Sequence, residues 1–231
     1  MVYRSDLVCE AVSVLRLGHR GARAAVSVPE NTLASFDLCL QHGCDGFEFD
    51  VRRAADGTPI VCHDESFRGL HLAQASAHDL ASWQKQGLLP TLEEVLRRYS
   101  PQCFLDIEIK DSGLEPRVLD LLRRYPPQRG YVLTSFLPSV LLCFHELDPG
   151  IQLGFLWDKP SSQWNSLPVQ WALPHWRLLD SALASELVKA SKQIGTWTVN
   201  DPAEMLRLAA LGAEMLISDD TERLVNTFPV S

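Results

Sequence analysis

Short apolar runs alternate along this chain with longer segments in which apolar positions recur every three or four residues, the pattern of βα units around a parallel sheet. Runs at 14–17, 46–51, 59–62, 104–109, 131–134, 151–156, 177–179, 196–199 and 214–217 read as strands. Amphipathic segments at 30–42, 91–99, 115–125, 138–146, 181–193, 202–211 and 221–227 read as helices. Two helix starts are marked locally: Thr91 has Glu94 three residues on, and Asp201 precedes Pro202, a cap followed by a first-turn proline. The alternation runs from end to end without a repeat, a linker or a low-complexity tract, so one domain over 1–231 is expected. The segment 52–59 is too short for a helical crossover, but eight extended residues span roughly 26 Å, enough to run back beside a strand, so a distorted second unit lacking its helix is expected.

Within this apolar alternation, polar residues recur at the ends of strand-like runs, where they are costly unless something binds them. Glu48 and Asp50 are two apart on one run, so both side chains leave one face while Phe47, Phe49 and Val51 leave the other. Two carboxylates so close repel each other and need protons or a cation, and a hard divalent ion with oxygen ligands is the common solution. Glu108 and Lys110 repeat the spacing on a third run, so three carboxylates can converge. Asp106 shares that face deeper in the strand, with a supporting hydrogen-bond role.

His19 and His63 each follow an apolar run and stand beside a charged residue, Arg20 and Asp64. Histidine titrates near neutral pH and can take a proton from one oxygen and deliver one to another. The Arg20 guanidinium suits two phosphate oxygens, and Lys110 adds a point charge for the same group; Arg20 could instead bridge to Glu30 or Glu48. Pro29-Glu30-Asn31-Thr32 reads as a loop entering a helix, with Asn31 or Thr32 as the cap. Asp56-Gly57 reads as a turn. Asp219 and Asp220 read as caps of the last helix.

Composition narrows the partners. With 46% hydrophobic residues in 231, the chain can bury a large core, whereas its net charge of −8 disfavours a nucleic-acid partner. A small-molecule phosphate ester held by a metal and a few cations remains compatible. Arg4, Asp6, Glu10 and Arg16 interrupt any apolar leader, and no apolar run is long enough for a transmembrane segment, so a soluble cytoplasmic protein is expected. The six cysteines, Cys9, Cys39, Cys44, Cys62, Cys103 and Cys143, lack metal-finger spacing and read as reduced thiols.

The ordered series His19-Arg20-Gly21, Pro29-Glu30-Asn31-Thr32, Glu48-Phe49-Asp50-Val51, Asp56-Gly57, His63-Asp64 and Glu108-Ile109-Lys110 resembles the glycerophosphodiester phosphodiesterase family. The resemblance continues through Trp197-Thr198-Val199-Asn200-Asp201 and the segment 212–219. It implies an α/β fold, a single (β/α)8 TIM barrel distorted in its second unit, for which nine candidate strands are one too many. Glu48, Asp50 and Glu108 would then hold the metal, Ca2+ or Mg2+. His19 and His63 would be the catalytic pair, and Arg20, Lys110 and Trp197 would bind phosphate and substrate, Trp197 packing on glycerol carbons if it is not core. The implied reaction is hydrolysis of a glycerophosphodiester to glycerol 3-phosphate and an alcohol such as choline, ethanolamine, inositol or glycerol, by direct attack of water or through a cyclic phosphate. A non-catalytic phosphate-binding barrel would be the expectation only if a histidine were lost.

The chain departs from the family pattern in one place. After His63-Asp64, the family's inserted subdomain is shortened to residues 65–89. Trp157, Trp164, Trp171 and Trp176 also fall in one proline-containing stretch, either packing a loop or forming an apolar lip for an acyl chain, as a lysophospholipase D would need.

Overall fold

The computed structural model describes residues 14–229; the sequence reading of residues 1–13, including Cys9, lies outside them. Eight parallel strands form the barrel: β1 (Leu15–His19), β2 (Gly46–Arg53), β3 (Phe104–Ile109), β4 (Tyr131–Ser135), β5 (Leu153–Trp157), β6 (Trp171–Pro174), β7 (Gln193–Thr196) and β8 (Met215–Ser218). Each pairs with the next, and β1 pairs with both β2 and β8, which closes the ring. The helices outside it are α1 (Leu33–Gln41), α2 (Ala77–Gln84), α3 (Leu92–Tyr99), α4 (Glu115–Arg124), α5 (Pro138–Leu147), α6 (Ser181–Lys189), α7 (Pro202–Ala210) and α8 (Thr221–Thr227). The Thr91–Glu94 capping box starts α3, and the Asp201 carboxylate accepts from Ala203 and Glu204 ahead of α7, as their sequences require.

The surplus candidate strand is the one at 59–62. Pro59–Val61 runs antiparallel to β2, pairing Val61 with Val51 and Pro59 with Arg53. The second unit is therefore distorted, and its helix α3 is delayed rather than missing. Between them lie a hairpin of Ser66–Phe67 and Leu70–His71 and then α2, which the sequence reading passed over although Ser76 and Asp79 form a capping box. This excursion has its own small core of Ala54, Ile60, Leu72, Leu80 and Leu89.

Two strands are displaced from their expected positions. Residues 176–178 form a short 3₁₀ turn, and the sixth strand is Trp171–Pro174, inside the tryptophan-bearing stretch. There Trp171 and Leu173 point into the barrel while Ala172 packs outward, an alternation masked by proline at the strand's end. The seventh strand ends at Thr196, where expectation had it begin. Trp157, Trp164 and Trp171 are buried and Trp176 is half-buried against the same core, so these rings pack the protein.

The core explains the site's direction. Outside the barrel, Phe36 stacks on Phe47 at 4.1 Å, and Tyr99 meets both rings edge-on at 5.8 and 5.0 Å. With Phe47, Phe49 and Val51 locked into that layer, the alternating residues Glu48 and Asp50 must face inward. Leu17, Val132, Leu156, Leu173, Met215 and Ile217 fill the interior as a separate apolar cluster.

Candidate active site

Register brings the polar residues together. β1 pairs with β2 so that His19 lies opposite Glu48, and β2 pairs with β3 so that Glu48 lies opposite Asp106 and Asp50 opposite Glu108. Glu48, Asp50 and Glu108 each offer an oxygen, all within 4.8 Å of one another and buried. Glu48 Oε2 accepts the Arg20 backbone N–H at 3.0 Å, whereas Glu48 Oε1 is buried with no partner. Lys110 Nζ reaches Glu108 at 2.7 Å and Asp50 at 3.0 Å. Asp50 also accepts from Asn31 Nδ2 at 2.8 Å.

The electrostatics divide these carboxyls. Burial pushes Glu48 well above the usual carboxylate range, and the neighbouring charges of Asp50, Glu108 and Asp106 add to it. Burial likewise raises Glu108 to about 7, against the pull of Lys110. Asp106, a layer deeper, is pushed by burial to about 8 although Thr134 donates to it at 2.6 Å. Burial would also raise Asp50, but Lys110, Arg20 and Asn31 outweigh it and hold the group below its ordinary value. Such a cluster, three oxygens converging with one of them orphaned, fits a hard divalent cation in place of the protons.

Arg20 has φ 52 and Asn31 φ 56, a left-handed conformation that non-glycine residues adopt at a cost of about 1–3 kcal/mol each. The strain is locked in by a hydrogen bond from the Asn31 N–H to the Arg20 carbonyl at 3.0 Å. It aims the Arg20 backbone at Glu48 and the Asn31 side chain at Asp50. The Arg20 guanidinium pairs with Glu30 at 2.7 Å, the structural bridge foreseen as its alternative role, and its Nε lies 3.3 Å from Asp50 without hydrogen-bond alignment. Thr32 caps α1, so Asn31 is freed from that task.

His19 Nδ1 lies 2.7 Å from Asp219 Oδ1, and Nε2 lies 3.9 Å from Glu48 Oε2. A carboxylate only accepts, so Nδ1 carries the proton and Nε2 faces the cluster unprotonated. Burial lowers the His19 pKa, and the Asp219 hydrogen bond partly offsets it. Asp219 is itself held by Arg23 at 3.0 Å and Asn200 at 2.9 Å, and these partners with His19 keep it far below the usual range despite burial. The expectation that Asp219 caps the last helix is corrected: Asp220 caps α8, and Asp219 orients His19.

His63 stands on the rim after the antiparallel strand, its Nδ1 2.7 Å from Asp64 and its carbonyl held by Arg52 Nε at 2.7 Å. Its side chain is 36% exposed against 15% for His19, so it is the more open of the two to solvent. Trp197 lies at the end of β7, where its indole N–H donates to the Leu173 carbonyl at 2.9 Å. Its ring meets Phe136 and His175 edge-on at 5.3 Å each, and Phe136 in turn lies 5.9 Å from Lys110 Nζ. Asp56-Gly57 is a turn, as read. Asn31, Asn200 and Asp219 are the residues whose site roles were missed, although all three stand inside the motifs quoted above.

A closed parallel barrel with a carboxylate cluster, two histidines and two cations at the C-terminal ends of its strands is the layout of a barrel hydrolase. The glycerophosphoryl diester phosphodiesterase family model matches residues 19–223, and the chain belongs to that family, an enzyme of the phosphoric diester hydrolase class. It is 26% identical over 239 residues to a glycerophosphodiester phosphodiesterase of Caldanaerobacter subterraneus subsp. tengcongensis, covering 93% of this chain and 98% of that one. The crystal structure of the Thermotoga maritima glycerophosphodiester phosphodiesterase superposes with a TM-score of 0.79 at 26% identity, over 92% of this chain and 97% of the other. An Oleispira antarctica phosphodiesterase in complex with the product sn-glycerol-3-phosphate superposes at 0.80 and 25% identity, over 93% and 96% of the two chains.

Proposed function

We propose that this enzyme hydrolyses glycerophosphodiesters to glycerol 3-phosphate and an alcohol, with a divalent cation, Ca2+ or Mg2+, held by Glu48, Asp50 and Glu108. The observation that carries this reading is the buried carboxylate cluster with its orphaned Glu48 oxygen, set beside a histidine whose tautomer is fixed by Asp219. The product in the Oleispira relative supports glycerol 3-phosphate as the product here. When bound, the cation supplies Lewis-acid stabilisation of the phosphoryl charge.

The chain's own residues do the rest. Arg20 spends Nη1 on Glu30, leaving Nη2 free for a phosphate oxygen, and Lys110 spends two of its three N–H donors on Asp50 and Glu108. Together they neutralise charge that grows as the phosphorus–oxygen bond breaks. His19, neutral at Nε2, takes the proton of the attacking oxygen, and His63, open to solvent, delivers one to the departing alcohol. Trp197 packs against the glycerol carbons. A reducing compartment such as the cytoplasm suits the five free thiols among the described residues; no helix there is long and apolar enough to cross a membrane.

Incubation with glycerophosphocholine and calcium or magnesium, with coupled detection of glycerol 3-phosphate, tests the reading. EDTA should abolish turnover, and adding back either cation should restore it. Full activity in chelator overturns the metal assignment, and no release from any glycerophosphodiester with both cations present overturns the activity.

A further inference from the structure

The strand that leads to His63 lets go of the barrel one residue before it. Pro59–Val61 is paired to β2, and the last rung is the Cys62 N–H, which donates to the Asp50 carbonyl at 3.0 Å. Residues 63–65 then bend away, and the next backbone bond, from the Leu72 N–H to the Glu65 carbonyl at 2.9 Å, lies within the excursion itself. The His63 ring adds no anchor to the barrel, since its Nδ1 partner is the exposed Asp64. Cys62 Sγ donates to the Asp64 carbonyl at 3.4 Å, a weak bond inside the same turn. Arg52 supplies the missing tie. It follows Glu48 and Asp50 at strand spacing, so it leaves β2 on their face, and only 12% of its side chain is exposed. Its Nε donates to the His63 carbonyl at 2.7 Å and its Nη1 to Asp111 Oδ1 at 2.8 Å. The other Asp111 oxygen accepts the Arg53 backbone N–H at 2.9 Å, and Asp111 follows Lys110, whose N–H donates to the Val51 carbonyl at 3.0 Å. One guanidinium thus joins the end of β2, the end of β3 and the turn that carries His63. Among the described residues, no other side chain bonds the main chain of His63.

We propose that Arg52, braced by Asp111, is the positioning residue for His63, holding its imidazole where the proton of the departing alcohol is delivered. The inference rests on the acid role given to His63 above. Proton transfer needs hydrogen-bond reach, and a misplacement of about 1 Å can cost about 10²-fold in rate. A rim turn tied to the barrel at one carbonyl depends on that tie. The guanidinium suits the task because its donors point in fixed directions in one plane, so a carbonyl and a carboxylate are gripped together by charge-assisted bonds. An ammonium has no such fixed fork and holds the two less rigidly.

Two substrates separate positioning from folding: glycerophosphocholine, whose alkoxide needs a proton to leave, and the p-nitrophenyl diester of glycerol 3-phosphate, whose phenolate leaves without one. Arg52→Met keeps the apolar stem and removes the fork. It should lower kcat for glycerophosphocholine about tenfold, a part of the roughly 10²- to 10⁴-fold worth of a general acid, with KM for it and kcat for the nitrophenyl diester each within about twofold. Arg52→Lys should recover part of the loss. His63→Ala should show the same selectivity more deeply, and adding Arg52→Met to it should cost nothing further, because residues that act through one group are not additive. Equal losses on both diesters, a raised KM with kcat intact, or additive losses in the double variant overturn the proposal. If Arg52→Met does not fold, Asp111→Asn, which leaves Arg52 in place but weakens its brace, should show the same selectivity to a smaller degree, and equal losses on both diesters there overturn the proposal in the same way. A His63→Ala variant that loses both diesters alike, or neither, overturns the acid role itself. The crystal structure of the Arg52 variant, or of Asp111→Asn in its place, then decides the positioning separately: the turn at 63–65 should move off its wild-type position, and an unmoved His63 overturns the proposal.

Discussion

Each histidine of the mouth is paired through Nδ1 with an aspartate, His19 with Asp219 and His63 with Asp64. Asp219 keeps the proton on His19 Nδ1 and opposes the desolvation that would otherwise drive the ring's pKa lower still. His19→Ala and His63→Ala should each cut kcat by roughly 10² or more, the usual scale for losing a general acid or base, with an unchanged circular dichroism spectrum. Asp219→Asn keeps an acceptor near Nδ1 but removes the charge, so the loss in kcat should be smaller, about tenfold, below the full acid–base contribution. Because that charge raises the His19 pKa, its removal should also shift the acid limb of the kcat pH profile to lower pH. A limb that stays in place would mean that Asp219 is only a structural brace. The catalytic candidates were legible because each stands alone at the end of an apolar run. The roles of Asn31 and Asp219 were not, since each depends on a partner 19 or 200 residues away, at Asp50 and His19.

Among the elements, β2 and β3 matter most, since between them they carry all three carboxylates of the cluster. Their approach depends on Gly46, where a Cβ would fall 1.9 Å from the Phe104 carbonyl oxygen. That contact is backbone and cannot turn aside, so Gly46→Ala must push the two strands apart. The variant should lose about 3 kcal/mol, the upper range for overpacking, with metal affinity falling in the same protein. Gly57→Ala is the control: that turn has φ 81 but open space around it, so only backbone strain of about 1 kcal/mol is expected. Equal thermal shifts for the two variants would refute the strand-separation argument. The inward pair on β2 was readable from strict alternation, because Phe47, Phe49 and Val51 left only one face for Glu48 and Asp50. The sixth strand was not: four residues ending in proline carry too little periodicity to outweigh the turn signals around them. Likewise α2 was missed because its apolar positions form no clear stripe and only Leu80 is buried.

At the scale of the whole molecule, the barrel holds its site at a cost in stability that depends on pH. In the folded chain Glu108 keeps its proton up to about pH 7 and Asp106 up to about 8, and Glu48 is raised as well, whereas an unfolded chain releases these protons near pH 4. Between those limits the folded state binds more protons than the unfolded state, so stability falls as pH rises, by about 1.4 kcal/mol per pH unit for each group fully engaged. His19 acts in the opposite sense: its lowered value relieves a penalty as pH rises, but that gain is complete by about pH 6.5, the unfolded value. Asp50 and Asp219, held low, lose their contribution only when pH falls below the ordinary carboxylate range. From pH 6.5 to 8 the raised carboxyls therefore decide the trend, and the Tm measured in EDTA should fall across that interval. A divalent cation held by the cluster would replace the protons that Glu48 and Glu108 otherwise need, so saturating calcium or magnesium should raise Tm most at the alkaline end and flatten the slope. Asp106→Asn should remove that group's share of the slope while leaving all three cluster carboxylates in place. A Tm that is flat or rising from pH 6.5 to 8 in chelator would show that the carboxyls are already ionised in the folded protein, and with that the argument that the cluster waits for a cation would fail.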